Sequence, residues 1–206
     1  MGAHKPVVIS SAVEGIVDEA VVKRLIFEAG GEAGPVFGKN GKPHLKQRIN
    51  GYNQAANRTP WIVLLDLNHE FDCPPPMKSA WLPRPSPNMC FRIAVREVEA
   101  WLLADRQRFA SFFEIPLSTI PSDPESIDHP KEFVANLAGR SKSRAIKIDM
   151  VARPGSGRSV GPGYPSRLIE FAFDFRKGWR PQQAASSSDS LKRCLNRLRE
   201  LAERVR

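Results

Sequence analysis

The segment 61–67 constrains the fold of this chain more than any other feature of its sequence. It reads WIVLLDL, with five apolar residues in a row before Asp66. An apolar run without alternating polar residues is typical of a strand that is buried on both faces of a parallel sheet. Helices must cover both faces of such a sheet, and the segment therefore predicts an α/β fold.

Further predicted strands and helices alternate along the chain in the order that a parallel sheet requires. The stretch 6–13 (PVVISSAV) is a predicted strand, and apolar spacing over 17–29 predicts a helix after it. The stretch 89–95 (MCFRIAV) is another predicted strand, followed by helical spacing over 97–113. Strands joined in this way pair in parallel through right-handed crossovers. We therefore expect a mostly parallel, Rossmann-like sheet flanked by helices.

The length of 206 residues sets the expected domain organisation. Residues 1–115 hold the predicted strands and form the expected core. Residues 116–206 hold loops rich in proline and glycine, and helices are predicted at 131–137 and 190–205. Because domains commonly reach about 250 residues, we expect this α-rich C-terminal part to pack on the core as a single unit.

Composition excludes a membrane protein and favours a polyanionic partner. No apolar run approaches the ~20 residues of a membrane helix, and the N-terminus lacks the apolar stretch of a signal peptide. The three cysteines are widely spaced, which favours a reducing compartment and a cytoplasmic location. The net charge of +9, with more arginine than lysine, favours contact with nucleic acid, either DNA or RNA.

Oxygen-bearing side chains follow all of the predicted strands. The carboxyl ends of parallel strands meet at one sheet edge, where ligand sites form. Carboxylate and amide oxygens without nearby histidine or cysteine suit Mg²⁺ or Mn²⁺, which assist attack on a phosphodiester. The alternative is that acids at helix starts only stabilise the helix dipole. The candidate ligands are Glu14, Asp18, Asp66, Asn68, Glu97 and Glu99.

Glu14-Gly15 after one strand and Asp66-Leu67-Asn68 after another resemble the Toprim arrangement of a Glu and an Asp-x-Asp pair. The chain is most similar to a Toprim-like family of small bacterial proteins that carry a domain of unknown function. These proteins are often encoded beside ABC-type ATPases in phage-defence regions and are related to OLD-type Toprim nucleases. The stretches that carry the resemblance are 13–15 (VEG), 66–75 (DLNHEFDCPP), 91–105 (FRIAVREVEAWLLAD), 161–172 (GPGYPSRLIEFA) and 190–198 (SLKRCLNRL).

The resemblance implies a nuclease that uses Mg²⁺ or Mn²⁺ and acts as the effector of an ATPase partner in antiviral defence. Glu14 would be the general acid/base or the first metal ligand, and Asp66 the central ligand. Asp18 and Glu99 would be ligands of a second metal, a role for which Glu97 competes. Residues 1–115 would then be a Toprim-like metal-binding core. A homo-oligomer is also open.

Asn68 departs from the family pattern because it stands at the second acidic position of the Asp-x-Asp pair. An amide oxygen coordinates Mg²⁺ without contributing charge, so the second metal should bind more weakly. Glu70 or Asp72 could substitute from the following loop. A one-metal nickase therefore stays open, as does a catalytically weakened binding and regulatory subunit of the ATPase complex. A topoisomerase or primase ranks last, because the chain lacks room for the additional domains of those enzymes.

Basic residues after position 130 are the candidates for holding phosphates. Lys142 would stabilise the pentacovalent phosphate, with Lys131 competing for that role. A solvated charge run or a surface loop is the alternative for this region. The predicted nucleic-acid contacts are Arg140, Arg144, Arg153 and Arg158.

Tryptophan and cysteine side chains complete the predictions. Trp101 falls on the predicted apolar helix face and should lie in the core, whereas Trp179, beside Lys177 and Arg180, is the better candidate for a contact surface. Cys90 and Cys194 are predicted buried thiols.

Overall fold

A computed structural model describes residues 6–205 and centres on a four-stranded parallel sheet with the strand order β2-β1-β3-β4. β1 pairs with β2 on one side and with β3 on the other, and β4 lies beyond β3. The predicted α/β class is confirmed, and every strand pair is parallel. The strands are β1 (Val7–Val13), β2 (Gly31–Gly38), β3 (Trp61–Asp66) and β4 (Met89–Ala94).

Helices flank the sheet and dominate the C-terminal part, as predicted. No helix within residues 6–205 combines the length and the apolar character that crossing a membrane requires. The helices are α1 (Ile16–Glu28), α2 (Lys42–Ala55), α3 (Pro74–Trp81), α4 (Val98–Leu103), α5 (Arg106–Phe112), α6 (Pro130–Ala138), α7 (Arg144–Met150), α8 (Tyr164–Phe173), α9 (Pro181–Ala184) and α10 (Asp189–Val205).

The unbroken apolar run of β3 is explained by two hydrophobic clusters, one on each face of the sheet. Ile62 and Leu64 belong to the larger cluster, which α1, α4, α8 and α10 complete. Val63 and Leu65 belong to the cluster that α2 and α3 cover. Successive residues of a strand point to opposite faces, so burial on both sides demands apolar side chains throughout. The larger cluster extends to Leu201, and the C-terminal helices therefore pack on the same core as the sheet.

Two local features are an edge strand and a break between two helices. β2 is an edge strand, and Pro35 is tolerated within it because one side of the strand is unpaired. The stretch 97–113 divides into α4 and α5 at Asp105. This carboxylate is only 2% exposed and accepts three hydrogen bonds from Arg180, at 2.7–3.0 Å.

Trp179 is not a contact surface. It is fully buried, and its indole Nε1 donates to the carbonyl oxygen of Trp101 at 3.1 Å. The prediction failed because the flanking Lys177 and Arg180 suggested an exposed strip, although the indole itself packs inward. Trp101, by contrast, lies in the core as predicted. The two predicted buried thiols, Cys90 and Cys194, are also confirmed.

Candidate metal centre

The carboxyl ends of β1, β3 and β4 converge on a pocket of about 250 Å³. The N-terminal turns of α1 and α4 form two of its walls, and residues from α6 and α8 close it. Its carboxylate lining consists of Asp18, Asp66, Glu97 and Glu99, and Lys131 and Tyr164 also line it.

Glu14 and Asp66 link the strand ends to each other. Glu14 Oε1 accepts a hydrogen bond from the backbone N–H of Asp66 at 2.8 Å, and Asp66 Oδ1 accepts one from the N–H of Val98 at 3.0 Å. Each carboxylate thus uses one oxygen to hold its position. The second carboxylate oxygen of each residue accepts no hydrogen bond from residues 6–205. Both side chains are therefore oriented by the backbone. Asp66 lines the pocket, whereas Glu14 lies outside its lining but close enough for its charge to act on Asp18.

Asp18 is the most unusual member of the cluster. Its Oδ2 accepts a hydrogen bond from the Gly15 N–H at 2.9 Å, which anchors it to the turn between β1 and α1. The side chain is only 6% exposed, and its Oδ1 is buried without a hydrogen-bond partner in the described part of the chain. A buried charged oxygen without a partner is costly. Taking up a proton or a cation would remove this cost.

Glu99 and Glu97 hold the opposite side of the pocket. Glu99, at 5% exposure, accepts a hydrogen bond from the Tyr164 hydroxyl at 3.2 Å. Glu97 Oε2 accepts one from the backbone N–H of Lys131 at 2.7 Å. Every carboxylate of the centre is thus fixed through one oxygen. Hydrogen bonds that hold ligating carboxylates are common around metal sites, and here they leave the other oxygen of each carboxylate to be brought to an ion.

Burial and mutual repulsion make the ionised cluster unstable without a cation. Burial, strengthened by the charges of Glu99 and Glu14, raises the pKa of Asp18 to about 8. Burial and the charge of Glu97 raise the pKa of Glu99 to about 7. The pKa values of Glu14 and Asp66 are also raised, with burial as the largest cause. A bound divalent cation would remove this penalty by neutralising the carboxylates.

The donor set fits Mg²⁺ or Mn²⁺ by its chemistry, because all of its ligand atoms are oxygens. Among residues 6–205, no three histidine, cysteine, aspartate or glutamate side chains already stand around a common point at metal-ligand spacing. The unbonded oxygens would therefore have to close on the ion by side-chain rotation.

Asn68 does not line this pocket. β3 ends at Asp66, so the strand alternation that would align the two side chains does not reach Asn68. The backbone of Asn68 is left-handed, with φ of 50°, and its N–H donates to the carbonyl oxygen of Arg96 at 2.9 Å. Asparagine tolerates this conformation better than most residues, which provides a structural reason for its presence.

Lys42 is a cation that the sequence reasoning missed. It begins α2 and is 9% exposed, and its positive charge offsets part of the rise that burial causes in the pKa of Glu14. Its Nζ forms an ion pair with Glu70 Oε1 at 3.0 Å, and an ammonium group has further N–H donors for another acceptor. The helix dipole disfavours a lysine in the first turn. That unfavourable position, beside a proline, was the signal in the sequence.

Lys131, rather than Lys142, lies at the pocket. Lys131 lines it, whereas Lys142 is exposed and its backbone N–H donates to the carbonyl oxygen of Glu114 at 3.0 Å. Lys142 falls between α6 and α7 and is not part of the pocket lining. The four arginines predicted to contact nucleic acid are exposed and lie outside the pocket lining: Arg140, Arg144, Arg153 and Arg158.

Tyr164 is a second residue that the sequence reasoning left without a role. It begins α8 and is 1% exposed, and its hydroxyl lies within hydrogen-bond distance of Glu99 Oε1 and, at 3.3 Å, of the Lys131 carbonyl oxygen. Burial and the charge of Glu99 raise its pKa well above the usual range. The phenol therefore stays protonated and can orient Glu99 by donating its proton.

No family model, curated protein or solved structure matches this chain. The Toprim-like resemblance therefore stays a prediction.

Proposed function

We propose that this protein is a nuclease that cleaves phosphodiester bonds in DNA or RNA with the help of Mg²⁺ or Mn²⁺. The observation that carries the proposal is the buried, unpartnered Oδ1 of Asp18 in a pocket lined by further carboxylates. A folded chain holds such an arrangement at a cost in stability, and a divalent cation would offset that cost. The positive net charge supports a polyanionic substrate.

The surroundings of each residue suggest its role in the proposed reaction. Asp66 and Asp18, which line the pocket, would hold the ion, with Glu99 positioned by Tyr164. When bound, the cation supplies a water of lowered pKa and neutralises charge on the phosphate. Glu14, whose pKa burial raises, is suited to accept the proton of the attacking water. Lys131 and Lys42 would balance phosphate charge.

The location of Asn68 outside the pocket favours a second candidate function. With one ligand fewer than an Asp-x-Asp site, the protein would be a weakened Toprim-like subunit that binds and regulates an ABC- or OLD-type ATPase. In both proposals the ATPase partner and the antiviral role rest on the resemblance to the Toprim-like family. The cytoplasmic location is proposed from the cysteine content of the sequence, and a homo-oligomer stays a prediction.

A cleavage assay distinguishes the two proposals. Plasmid DNA and total tRNA are incubated with Mg²⁺ or Mn²⁺, with and without an ATPase encoded next to the protein. Glu14→Gln and Asp66→Asn should abolish cleavage, whereas Glu203→Gln, at an exposed position of α10, should retain it. If the wild type cleaves neither nucleic acid under any condition but binds the ATPase, the regulatory role replaces the nuclease.

A further inference from the structure

A second pocket, of about 390 Å³, opens at the opposite end of β4 from the carboxylates. It lies between the end of α3, the segment that precedes β4 and the last turns of α10. No aspartate or glutamate lines it. Its charged lining consists of Lys78, Arg92, Arg197 and Arg204.

Backbone contacts fix the two arginines of α10 at the rim of this pocket. Arg197 Nη2 donates to the carbonyl oxygen of Pro87 at 3.1 Å. Arg204 Nη2 donates to the same carbonyl oxygen and lies 3.3 Å from Asn88 Oδ1. Within residues 6–205, Nε and Nη1 of Arg204 have no acceptor. The guanidinium is thus held in place with donors to spare for an anion.

Arg92 and Lys78 lie in the pocket without a carboxylate partner in the described part of the chain. The Nε of Arg92 is buried and donates to no oxygen or nitrogen acceptor there, and the Arg92 side chain lies beside the buried Cys90 thiol. Burial and the nearby charge of Arg92 lower the pKa of Lys78. Lys78 and Arg92 are thus like charges that repel each other, as the carboxylates do in the metal centre, and Arg92 also has a buried N–H without an oxygen or nitrogen acceptor. An anion would relieve both the repulsion and the missing hydrogen bond.

We propose that this pocket binds the phosphate group of a nucleotide-sized ligand. Arginine presents paired N–H donors that match phosphate oxygens, and Arg92 and Arg204 would supply them. Apolar side chains of Leu82, Met89 and Phe91 also line the pocket and would contact the body of the ligand. The volume falls in the range of about 300–1,000 Å³ of small-ligand pockets. A free nucleotide and the 5′-phosphate end of a nucleic-acid strand share this chemistry.

Binding measured in EDTA tests this site independently of the carboxylate centre. The ligands are AMP, a 5′-phosphorylated oligothymidylate and the same oligonucleotide with a 5′-hydroxyl. We expect AMP or the 5′-phosphorylated oligonucleotide to bind. The double variant Lys78→Gln/Arg92→Gln should weaken the affinity for that ligand by at least about tenfold. The matched control Arg176→Gln/Lys177→Gln, at exposed positions outside this lining, should keep the wild-type affinity.

The comparison of ligands identifies the source of the phosphate. Binding of AMP at least as tight as that of the oligonucleotide indicates a free nucleotide, and tighter binding of the phosphorylated oligonucleotide indicates a strand end. The proposal is overturned if no phosphorylated ligand binds, if the 5′-hydroxyl form binds equally well, or if the control variant loses as much affinity. If the double variant does not fold, Arg204→Gln, on the exposed last turn of α10, takes its place and should also weaken binding.

Discussion

Replacing Asp18 by asparagine should stabilise the metal-free protein, although it removes a proposed ligand. Burial and the charges of Glu99 and Glu14 raise the pKa of Asp18 from 3.8 to about 8. Folding therefore favours the protonated carboxyl, and stability contributed by this group is lost as the pH rises from about 4 to about 8. Asparagine cannot ionise, and its side-chain oxygen can still accept the hydrogen bond from Gly15.

The size of the effect follows from the pKa difference. Between pH 3.8 and pH 7 the shift spans about three pH units, at about 1.4 kcal/mol each, which sets an upper limit of about 4 kcal/mol. Between pH 5 and pH 7 the ionisation of Asp18 should lower the free energy of unfolding of the wild type by about 3 kcal/mol. Asp18→Asn should remove this part of the pH dependence. Glu99, with its pKa raised to about 7, contributes in the same direction in both proteins.

Urea unfolding in EDTA at pH 5 and pH 7 measures these differences. We expect Asp18→Asn to unfold at higher urea than the wild type at pH 7, and the gap to narrow at pH 5. Asp72, which could have substituted as a ligand, is exposed in the loop after β3 and lies outside the pocket lining, so Asp72→Asn is the matched control and should behave as the wild type. If Asp18→Asn is no more stable at pH 7, or keeps the wild-type pH dependence, the account of a strained carboxylate cluster is refuted.

Three further predictions follow from ion pairs and cations. Arg180→Ala should lower the free energy of unfolding by about 2–4 kcal/mol in urea titrations, because it leaves the buried Asp105 carboxylate without its cation; an unchanged midpoint would contradict this. Lys131→Ala should reduce any cleavage activity by at least about tenfold, whereas Lys142→Ala should leave it unchanged, and the opposite order would restore the sequence-based assignment. Lys42→Met should raise the pKa of Glu14 further, shifting the rising limb of the pH–rate profile upward; a profile identical to that of the wild type would argue against their coupling.

The sheet was predictable from the sequence because burial on both faces imposes an unbroken apolar run on β3. Glu14, Asp66 and Glu99 were predictable for a related reason. In a parallel sheet the residues that follow the strands meet at one edge, whatever their separation along the chain. The position of each carboxylate at or soon after the end of a predicted strand was therefore enough to predict that the carboxylates lie close together.

The remaining members of the site depend on geometry that strand order does not determine. Asn68 lies outside the pocket because β3 ends at Asp66 and the chain then turns through a left-handed residue. Lys42 and Tyr164 begin helices whose packing direction is set by tertiary contacts. A helix start is visible in a sequence, but the groups that its first residues approach in the folded chain are not.

Titration calorimetry with Mn²⁺ at pH 7, repeated in two buffers of different ionisation enthalpy, tests the metal centre most directly. We predict saturable binding with release of protons, because the raised pKa values of Asp18 and Glu99 leave them partly protonated without a cation. Binding should be lost in Asp66→Asn and kept in Asp72→Asn. No binding by the wild type, or equal binding by Asp66→Asn, would contradict the assignment of these carboxylates as metal ligands.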